Sequence, residues 1–166
     1  KEKFLKVLEQ GHDIVHIAFS SGLSGSCNST RIAAEEIMEE YPEYKVRIVD
    51  SLCASLGQGL LVHKAVQLKK QGMSMEEIVD WLENNKLHLC HVFTVDDLNH
   101  LYRGGRVSKT AAFIGTLANI KPMLHVDNQG RLIPLSKVRG RKKSINTLVT
   151  MMEDQMKSYR DQNDVI

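Results

Sequence analysis

The stretch HDIVHIAFSSGLSGS at residues 12–26 decides how the chain is interpreted, because an apolar run passes directly into serines and glycines. His12–Phe19 is nearly continuous apolar sequence, and a short run of this kind is typical of a strand buried on both faces. Strands buried on both faces belong to parallel sheets. The sequence therefore predicts a parallel sheet with a polar loop at the carboxyl end of its first strand.

Helices and strands alternate after this loop. Helical spacing of apolar residues predicts a helix over Thr30–Tyr41, and a strand is predicted over Lys45–Val49. A second helix is predicted over Leu56–Lys70, and Ser74 with Glu77 fits a capping box that starts a third. The order β-α-β-α is typical of an α/β layered domain. We assign residues 1–86 to part of an α/β N-terminal domain that carries the serine- and glycine-rich loop.

The pattern restarts with residue 87, and residues 87–166 are assigned to part of an α+β C-terminal domain. We predict first a strand over His88–Val95, then a short helix opened by Thr94 and Asp97, and then a turn at Gly104-Gly105. A helix follows through Ala111, Ile114 and Leu117. The remaining elements are two strands within Lys121–Leu135, joined at Asp127–Gly130, and a helix over Lys142–Tyr159. The predicted fold class is α/β, with a parallel-sheet first domain.

Composition excludes several classes of protein. The 166 residues include 22 basic and 20 acidic side chains, which argues against a globally basic nucleic-acid binder. The three cysteines show neither C-x-x-C spacing nor a zinc ligand pattern. Free cysteines of this kind are typical of a protein in the reducing cytosol. The sequence contains no apolar stretch of about 18 residues, which is the length that a membrane-spanning helix requires, so no membrane span is predicted. We expect a cytoplasmic protein without stable membrane insertion, and the missing initial methionine and the strand-like final residues lead us to expect a fragment.

The serines and glycines of residues 20–26 are the first candidate site. In open α/β sheets ligands bind at the carboxyl edge of the strands, and a helix N-terminus there attracts a carboxylate or phosphate. The alternative is a tight turn whose serines only cap the helix. A hydrolase elbow requires Gly-x-Ser-x-Gly, whereas Gly25 follows Ser24 directly, and no catalytic base is evident beside Ser21 or Ser24. The pattern favours binding over catalysis.

Three other groups of polar residues are weaker candidates. Asp50, at the end of the second strand, either orients a serine hydroxyl of the loop or caps the next helix, and the cap is favoured. In a strand, His88 and Cys90 would lie on one face and His91 on the other, which disfavours a metal site. Asp96, Asp97 and His100 are more typical of a helix start than of a ligand set.

Two segments carry arginines in positions suited to anions. Arg103-Gly104-Gly105-Arg106 combines glycine turns with guanidinium groups and either clamps a carboxylate or phosphate or is a plain turn. Residues 137–143, KVRGRKK, contain five cationic residues in seven. An acidic partner or phosphoryl group is the first interpretation of this segment, a solvated helix start the second and nucleic acid the third, since no aromatic residue within it can stack on a base.

Five segments together resemble the DegV family of bacterial fatty-acid-binding proteins, in register over essentially the whole chain. They are FSSGLSGS at 19–26, VDS at 49–51, DLNHLYRGGRVS at 97–108, IKPML at 120–124 and KVRGRKK at 137–143. The family usually has threonine where Ser26 stands. Its members are longer at both ends, so a threonine and a histidine that the family uses near the carboxylate would lie outside this chain.

The resemblance implies two α/β-type domains that enclose an acyl chain. It also implies a carrier that holds a long-chain fatty acid while a separate fatty acid kinase phosphorylates the carboxylate for phospholipid metabolism, with no catalysis of its own and no cofactor. By resemblance, Arg106 lies near the head group, Arg139 engages the kinase, and the carboxylate site comprises Ser20, Ser21, Gly22, Ser24, Gly25 and Ser26. The tunnel candidates, each more typical of plain core, are Leu23, Phe113, Ile114, Leu117 and Met123. The alternative is a nucleic-acid- or phosphate-binding module that uses residues 137–143.

Overall fold

The computed structural model describes residues 1–108 and 119–156. In chain order its elements are α1 (Glu2–Leu8), β1 (Ile14–Ala18), α2 (Ser26–Glu40), β2 (Val46–Asp50), α3 (Ser55–Lys70), α4 (Met75–Asn85), a 3-10 turn (Lys86–His88), β3 (Val92–Thr94), α5 (Asn99–Arg103), β4 (Ile120–Val126), β5 (Leu132–Arg139) and α6 (Arg141–Met156).

The chain divides into two compact units, Lys1–Leu89 and Cys90–Ile166. The first contains a parallel pair of strands, and the described part of the second contains a three-stranded antiparallel sheet. The α/β class and the parallel first sheet predicted from the sequence are therefore confirmed. The assignment of residues 1–86 and 87–166 to parts of two larger domains stays a prediction.

In the first unit, β1 and β2 pair in parallel, with Ile14 opposite Val46 and Ala18 opposite Asp50. Side chains of successive strand residues point to opposite faces of the sheet, and each face is covered by helices. One face, with Ile17 and Val49, packs with apolar residues of α3 and α4. The other face, with Ile14 and Val46, packs with α1 and α2. Apolar side chains on both faces explain the nearly continuous apolar run that predicted β1.

Element boundaries differ from the prediction at α2, at β3 and at β5, which continues to Arg139 although the predicted strand pair ends at Leu135. Helix α2 begins at Ser26, whereas apolar spacing predicted a start at Thr30. Its first turn has one apolar residue, the buried Cys27, among polar ones, and the Ser29 and Thr30 hydroxyls donate to the backbone carbonyls of Gly25 and Ser26, so the apolar period is weak there. Strand β3 covers only Val92–Thr94, because the chain after α4 continues as a 3-10 turn where the sequence predicted a strand from His88.

In the second unit, β3, β4 and β5 form an antiparallel sheet in that order. The predicted hairpin is confirmed: Asp127 accepts the backbone N–H groups of Gln129 and Arg131, both at 2.9 Å, and Gly130 has a φ of 71°. Helix α6 packs against all three strands. The helix predicted through Ala111, Ile114 and Leu117 lies outside the described residues, as do the last positions of the helix predicted to Tyr159.

Candidate functional site

The serine loop, defined as residues 20–26, leaves β1 through a buried turn. The Ser20 N–H donates to the Cys53 carbonyl at 2.9 Å, and the Ser20 side chain is fully buried. Its Oγ accepts the Gly22 N–H at 3.1 Å. The N–H groups of Leu23 and Ser24 both donate to the Ser20 carbonyl at 3.1 Å. Ser20 is therefore the residue around which the loop turns.

The second half of the loop forms the start of α2 and stays accessible. Gly25 is the N-cap, and no side chain caps it. The Ser24 Oγ accepts the Ser26 N–H at 3.2 Å, and Gly25 and Ser26 are exposed. A serine that only caps a helix occupies the N-cap itself and binds the second or third helical N–H, which is not the arrangement here. Hydroxyl groups thus lie beside the positive end of a 15-residue helix.

Asp50 contacts the serine loop and does not cap the next helix. Its Oδ1 accepts the N–H groups of Ser21 and Leu52, each at 3.1 Å. Helix α3 has Ala54 at its N-cap and no side-chain cap, so the favoured prediction for Asp50 is wrong. The reason is the strand register: Asp50 pairs with Ala18, which brings its carboxylate next to the loop that follows β1.

The protonation of Asp50 reflects these contacts. Burial of its carboxyl opposes ionisation, but hydrogen bonds from the Ser21 hydroxyl and from the N–H groups of Leu52 and Ser21 outweigh it and lower the pKa of Asp50, aided by the charge of Lys86. The carboxylate is therefore ionised at neutral pH. A carboxylate whose pKa is lowered is a weaker general base than an ordinary one.

The segment that follows β2 forms a second turn beside the loop. Ser51 is fully buried, and its Oγ accepts the Cys53 N–H at 3.1 Å. Leu52 and Ser55 have positive φ angles of 52° and 47°, which non-glycine residues adopt only when the surroundings hold them there. Burial, with the nearby charge of Asp50, raises the pKa of the Cys53 thiol to about 11, so the thiol is protonated at neutral pH.

The arginine turn follows α5 in the second unit. Gly105 has a φ of 74°, and the Arg106 N–H donates to the Leu101 carbonyl at 2.8 Å. The exposed Arg106 guanidinium folds back, and its Nη1 donates to the Gly104 carbonyl. A Cβ at Gly104 would lie 3.3 Å from the His100 carbonyl, so the turn is tight there.

The basic segment, residues 137–143, spans the end of β5, a turn and the start of α6. Gly140, with a φ of 93°, forms the turn. Arg141 pairs with Asp96 at 2.5 Å, and Lys121 pairs with the same carboxylate at 2.8 Å. These two cations lower the pKa of Asp96 to about 2. The remaining cations of the segment are exposed: Lys137, Arg139, Lys142 and Lys143.

The predicted site residues are divided between the two units. The serine loop belongs to the first unit, whereas Arg106 and Arg139 belong to the second. That they serve one ligand stays a prediction. Of the predicted tunnel residues, Leu23 and Met123 are buried, and Phe113, Ile114 and Leu117 lie outside the described residues. Over residues 1–108 and 119–156, no group of three metal-ligating side chains occurs and no helix is long and apolar enough to cross a membrane.

The sequence pattern favoured the wrong role for Asp50 and did not mark Gln58 at all. The Gln58 side-chain amide donates to the Ile17 carbonyl at 2.9 Å and so ties α3 to the end of β1. The motif VDS after an apolar strand was the available signal for Asp50, because a polar residue at the carboxyl end of one parallel strand meets the loop of its neighbour. No local pattern marks Gln58, whose partner is 41 residues away.

The fold and the loop define a class: an α/β protein with a hydroxyl-rich loop at the carboxyl end of its first parallel strand. The sequence matches the model described as "Uncharacterised protein, DegV family" over residues 1–165. The chain belongs to the DegV family.

Relatives and solved structures agree with this assignment. A DegV domain-containing protein of Clostridium perfringens is 51% identical over 161 residues, which are 97% of this chain and 55% of the relative. A stearic-acid-binding protein from Eubacterium ventriosum superposes with a TM-score of 0.87 at 26% identity, covering 98% of this chain and 55% of that one. The fatty acid kinase B3 protein of Streptococcus pneumoniae, loaded with linoleic acid, superposes with a TM-score of 0.84 at 30% identity. The match covers 92% of this chain and 54% of that one. The chain spans about half the length of these proteins.

Proposed function

We propose that this chain contributes to binding a long-chain fatty acid whose carboxylate lies at the serine loop, and that the bound acid is presented to a fatty acid kinase in the cytoplasm. One observation carries the proposal. Accessible hydroxyls lie at the carboxyl end of β1 and the start of α2, in a member of a family whose solved relatives hold linoleic and stearic acid. The protein acts as a carrier, and the partner kinase performs the phosphorylation.

The energetics of a fatty acid suit such a site. Each buried methylene contributes about 0.8 kcal/mol, so a dozen contribute roughly 10 kcal/mol before ordering costs. A carboxylate removed from water costs several kcal/mol unless donors converge on it. The serine hydroxyls and the positive end of α2 supply donors and charge, and we assign Arg106 to the vicinity of the head group.

The exposed cations of the basic segment support the second part of the proposal. Lys137, Arg139, Lys142 and Lys143 are all exposed, and Arg141 is turned toward Asp96. A surface of this charge attracts an acidic protein face or a phosphoryl group. We assign Arg139 to engagement of the kinase that transfers the phosphoryl group to the acid.

Calorimetric titration with palmitic acid tests the binding site. We expect the double variant Ser24→Ala/Ser26→Ala to bind about tenfold more weakly, because charge-assisted hydrogen bonds to the carboxylate are lost. Ser29→Ala, one turn further along the exposed side of α2, is the matched control and should bind as the wild type does. Unchanged affinity in the double variant would remove the carboxylate from this loop.

The kinase assignment needs a separate measurement. Arg139→Ala should retain palmitic acid affinity but lower the rate at which the kinase phosphorylates the bound acid, and the effect should shrink as salt rises. Arg131→Ala changes an exposed arginine on the hairpin and should leave both quantities unchanged. Equal phosphorylation rates for both variants would argue against Arg139 as a kinase contact.

A further inference from the structure

We propose that Asp50 is a positioning residue that holds the serine loop in the conformation that receives the ligand head group, an inference that rests on the proposed fatty-acid binding. Asp50 is the last residue of β2, and only 6% of it is exposed. Through one oxygen it accepts the Ser21 N–H from the serine loop and the Leu52 N–H from its own turn. One carboxylate thus joins the two loops that leave the sheet at the same edge.

Neighbouring contacts make this junction a network. The Ser20 N–H donates to the Cys53 carbonyl at 2.9 Å, and the Ser51 N–H donates to the Ala18 carbonyl at 3.2 Å. Leu52, between them, keeps a φ of 52°. A backbone in this region persists only where surrounding contacts determine it, and the bond from its N–H to Asp50 is such a contact. Loss of the carboxylate therefore removes a side-chain group that binds the backbone of both turns.

Two backbone amides of the serine loop are hydrogen-bonded within the protein. The Ser21 N–H is occupied by Asp50, and the Gly22 N–H is occupied by the Ser20 Oγ. These two amides stabilise the loop and are not donors to a ligand. A bond from an amide to an ionised carboxylate is about twice as strong as one between neutral groups, so an asparagine at this position holds the Ser21 amide less firmly.

The direction in which Asp50→Asn changes the affinity for the acid distinguishes a positioning role from charge repulsion alone. Asp50 carries a negative charge near a loop assigned to another carboxylate. If charge repulsion were its only influence on the ligand, Asp50→Asn would tighten the binding of an acid. Positioning predicts the reverse, because the donors of the loop lose their common orientation. A loss of fold alone would weaken ligands with charged and uncharged head groups equally.

The test compares palmitic acid with hexadecan-1-ol, which has the same chain and no charge. For Asp50→Asn we expect affinity for the acid to fall about tenfold and affinity for the alcohol to fall less than about threefold. Asp127→Asn is the matched control, since Asp127 also accepts two backbone N–H groups but in the hairpin of the second unit, and it should change neither affinity. Tighter acid binding, unchanged acid binding, or equal losses for both ligands would each overturn the proposal.

Amide hydrogen exchange of the unliganded protein tests the same contact without a ligand. The Ser21 amide should be protected in the wild type although the residue is exposed, and Asp50→Asn should accelerate exchange at Ser21 and Leu52 about tenfold while leaving β1 unchanged. If Asp50→Asn fails to fold, exchange at Ser21 in the wild type still tests the hydrogen bond from the Ser21 N–H to Asp50, because an unprotected amide there contradicts that bond. A wild-type protein that binds neither lipid but protects Ser21 contradicts the fatty-acid proposal and leaves the Asp50 contact standing.

Discussion

At the scale of the residue, the two strands of the first unit end on the same hydrogen-bonding motif. Ser20 follows β1 and Ser51 follows β2, and both side chains are fully buried. Each hydroxyl oxygen accepts the backbone N–H two residues further on, at 3.1 Å in both turns. A serine side chain is short enough to close such a turn without entering the core, which explains why polar residues are buried at this edge.

Replacing Ser51 by alanine should lower the free energy of unfolding by about 1–3 kcal/mol, because the buried Cys53 N–H loses its acceptor. Urea denaturation measures the change. Ser29→Ala, which removes an exposed hydroxyl that bonds back within α2, should change stability by less than about 0.5 kcal/mol. Equal stability of the two variants would mean that the Ser51 hydroxyl is not needed for the turn.

The lowered pKa of Asp50 gives its contribution a defined pH dependence. Because the carboxyl loses its proton more readily in the folded than in the unfolded chain, its stabilising effect is complete above the unfolded pKa of about 3.9 and is lost as pH falls through the lower folded value. The difference in unfolding free energy between wild type and Asp50→Asn should therefore be constant at neutral pH and shrink below about pH 4. A difference that grows on acidification would contradict the assignment.

At the scale of the element, α4 shows how closely local sequence determines a helix start. Ser74 Oγ accepts the Glu77 N–H at 3.4 Å, and Glu77 Oε2 accepts the Ser74 N–H at 2.8 Å. This is the capping box predicted from Ser74 and Glu77. Arg47 of β2 also binds Glu76 in the first turn through two nitrogens, at 2.8 and 3.2 Å. The start of α4 is thus fixed both by its own sequence and by the sheet.

Ser74→Ala should lower the free energy of unfolding by about 1 kcal/mol, since one helical N–H loses its side-chain acceptor. Ser74→Thr keeps the hydroxyl, which also donates to Glu77 Oε2 at 2.6 Å, and should retain most of the stability. Thermal or urea unfolding measures both variants. A full loss of about 1 kcal/mol in the threonine variant as well would contradict the role of the hydroxyl as the cap.

Elements with a complete local signal could be predicted, whereas those that depend on distant partners could not. The apolar period and the capping box predicted α4, and the turn residues predicted the hairpin between β4 and β5. The first turn of α2 has Cys27 as its only apolar residue, so the start predicted from apolar spacing, Thr30, lies four residues after the true one. The contact of Asp50 with Ser21 spans 29 residues, and only the pairing of β1 with β2 creates it.

At the scale of the whole molecule, each unit has its own apolar core. The first unit buries residues on both faces of the parallel sheet, and the described part of the second buries Leu98, Val107 and Leu124 together. The positions assigned to the ligand lie in both units, and the chain covers about half of the length of its relatives. Tests of binding and of kinase partnership therefore need a chain that contains both units.

Mass spectrometry of the protein purified from a bacterial host tests the central claim most directly. Under native conditions the observed mass should exceed that of the polypeptide by the mass of one long-chain fatty acid, and denaturation should release that acid. The variant Ser24→Ala/Ser26→Ala should carry less lipid. A protein that arrives empty and also takes up no added palmitic acid would contradict the account.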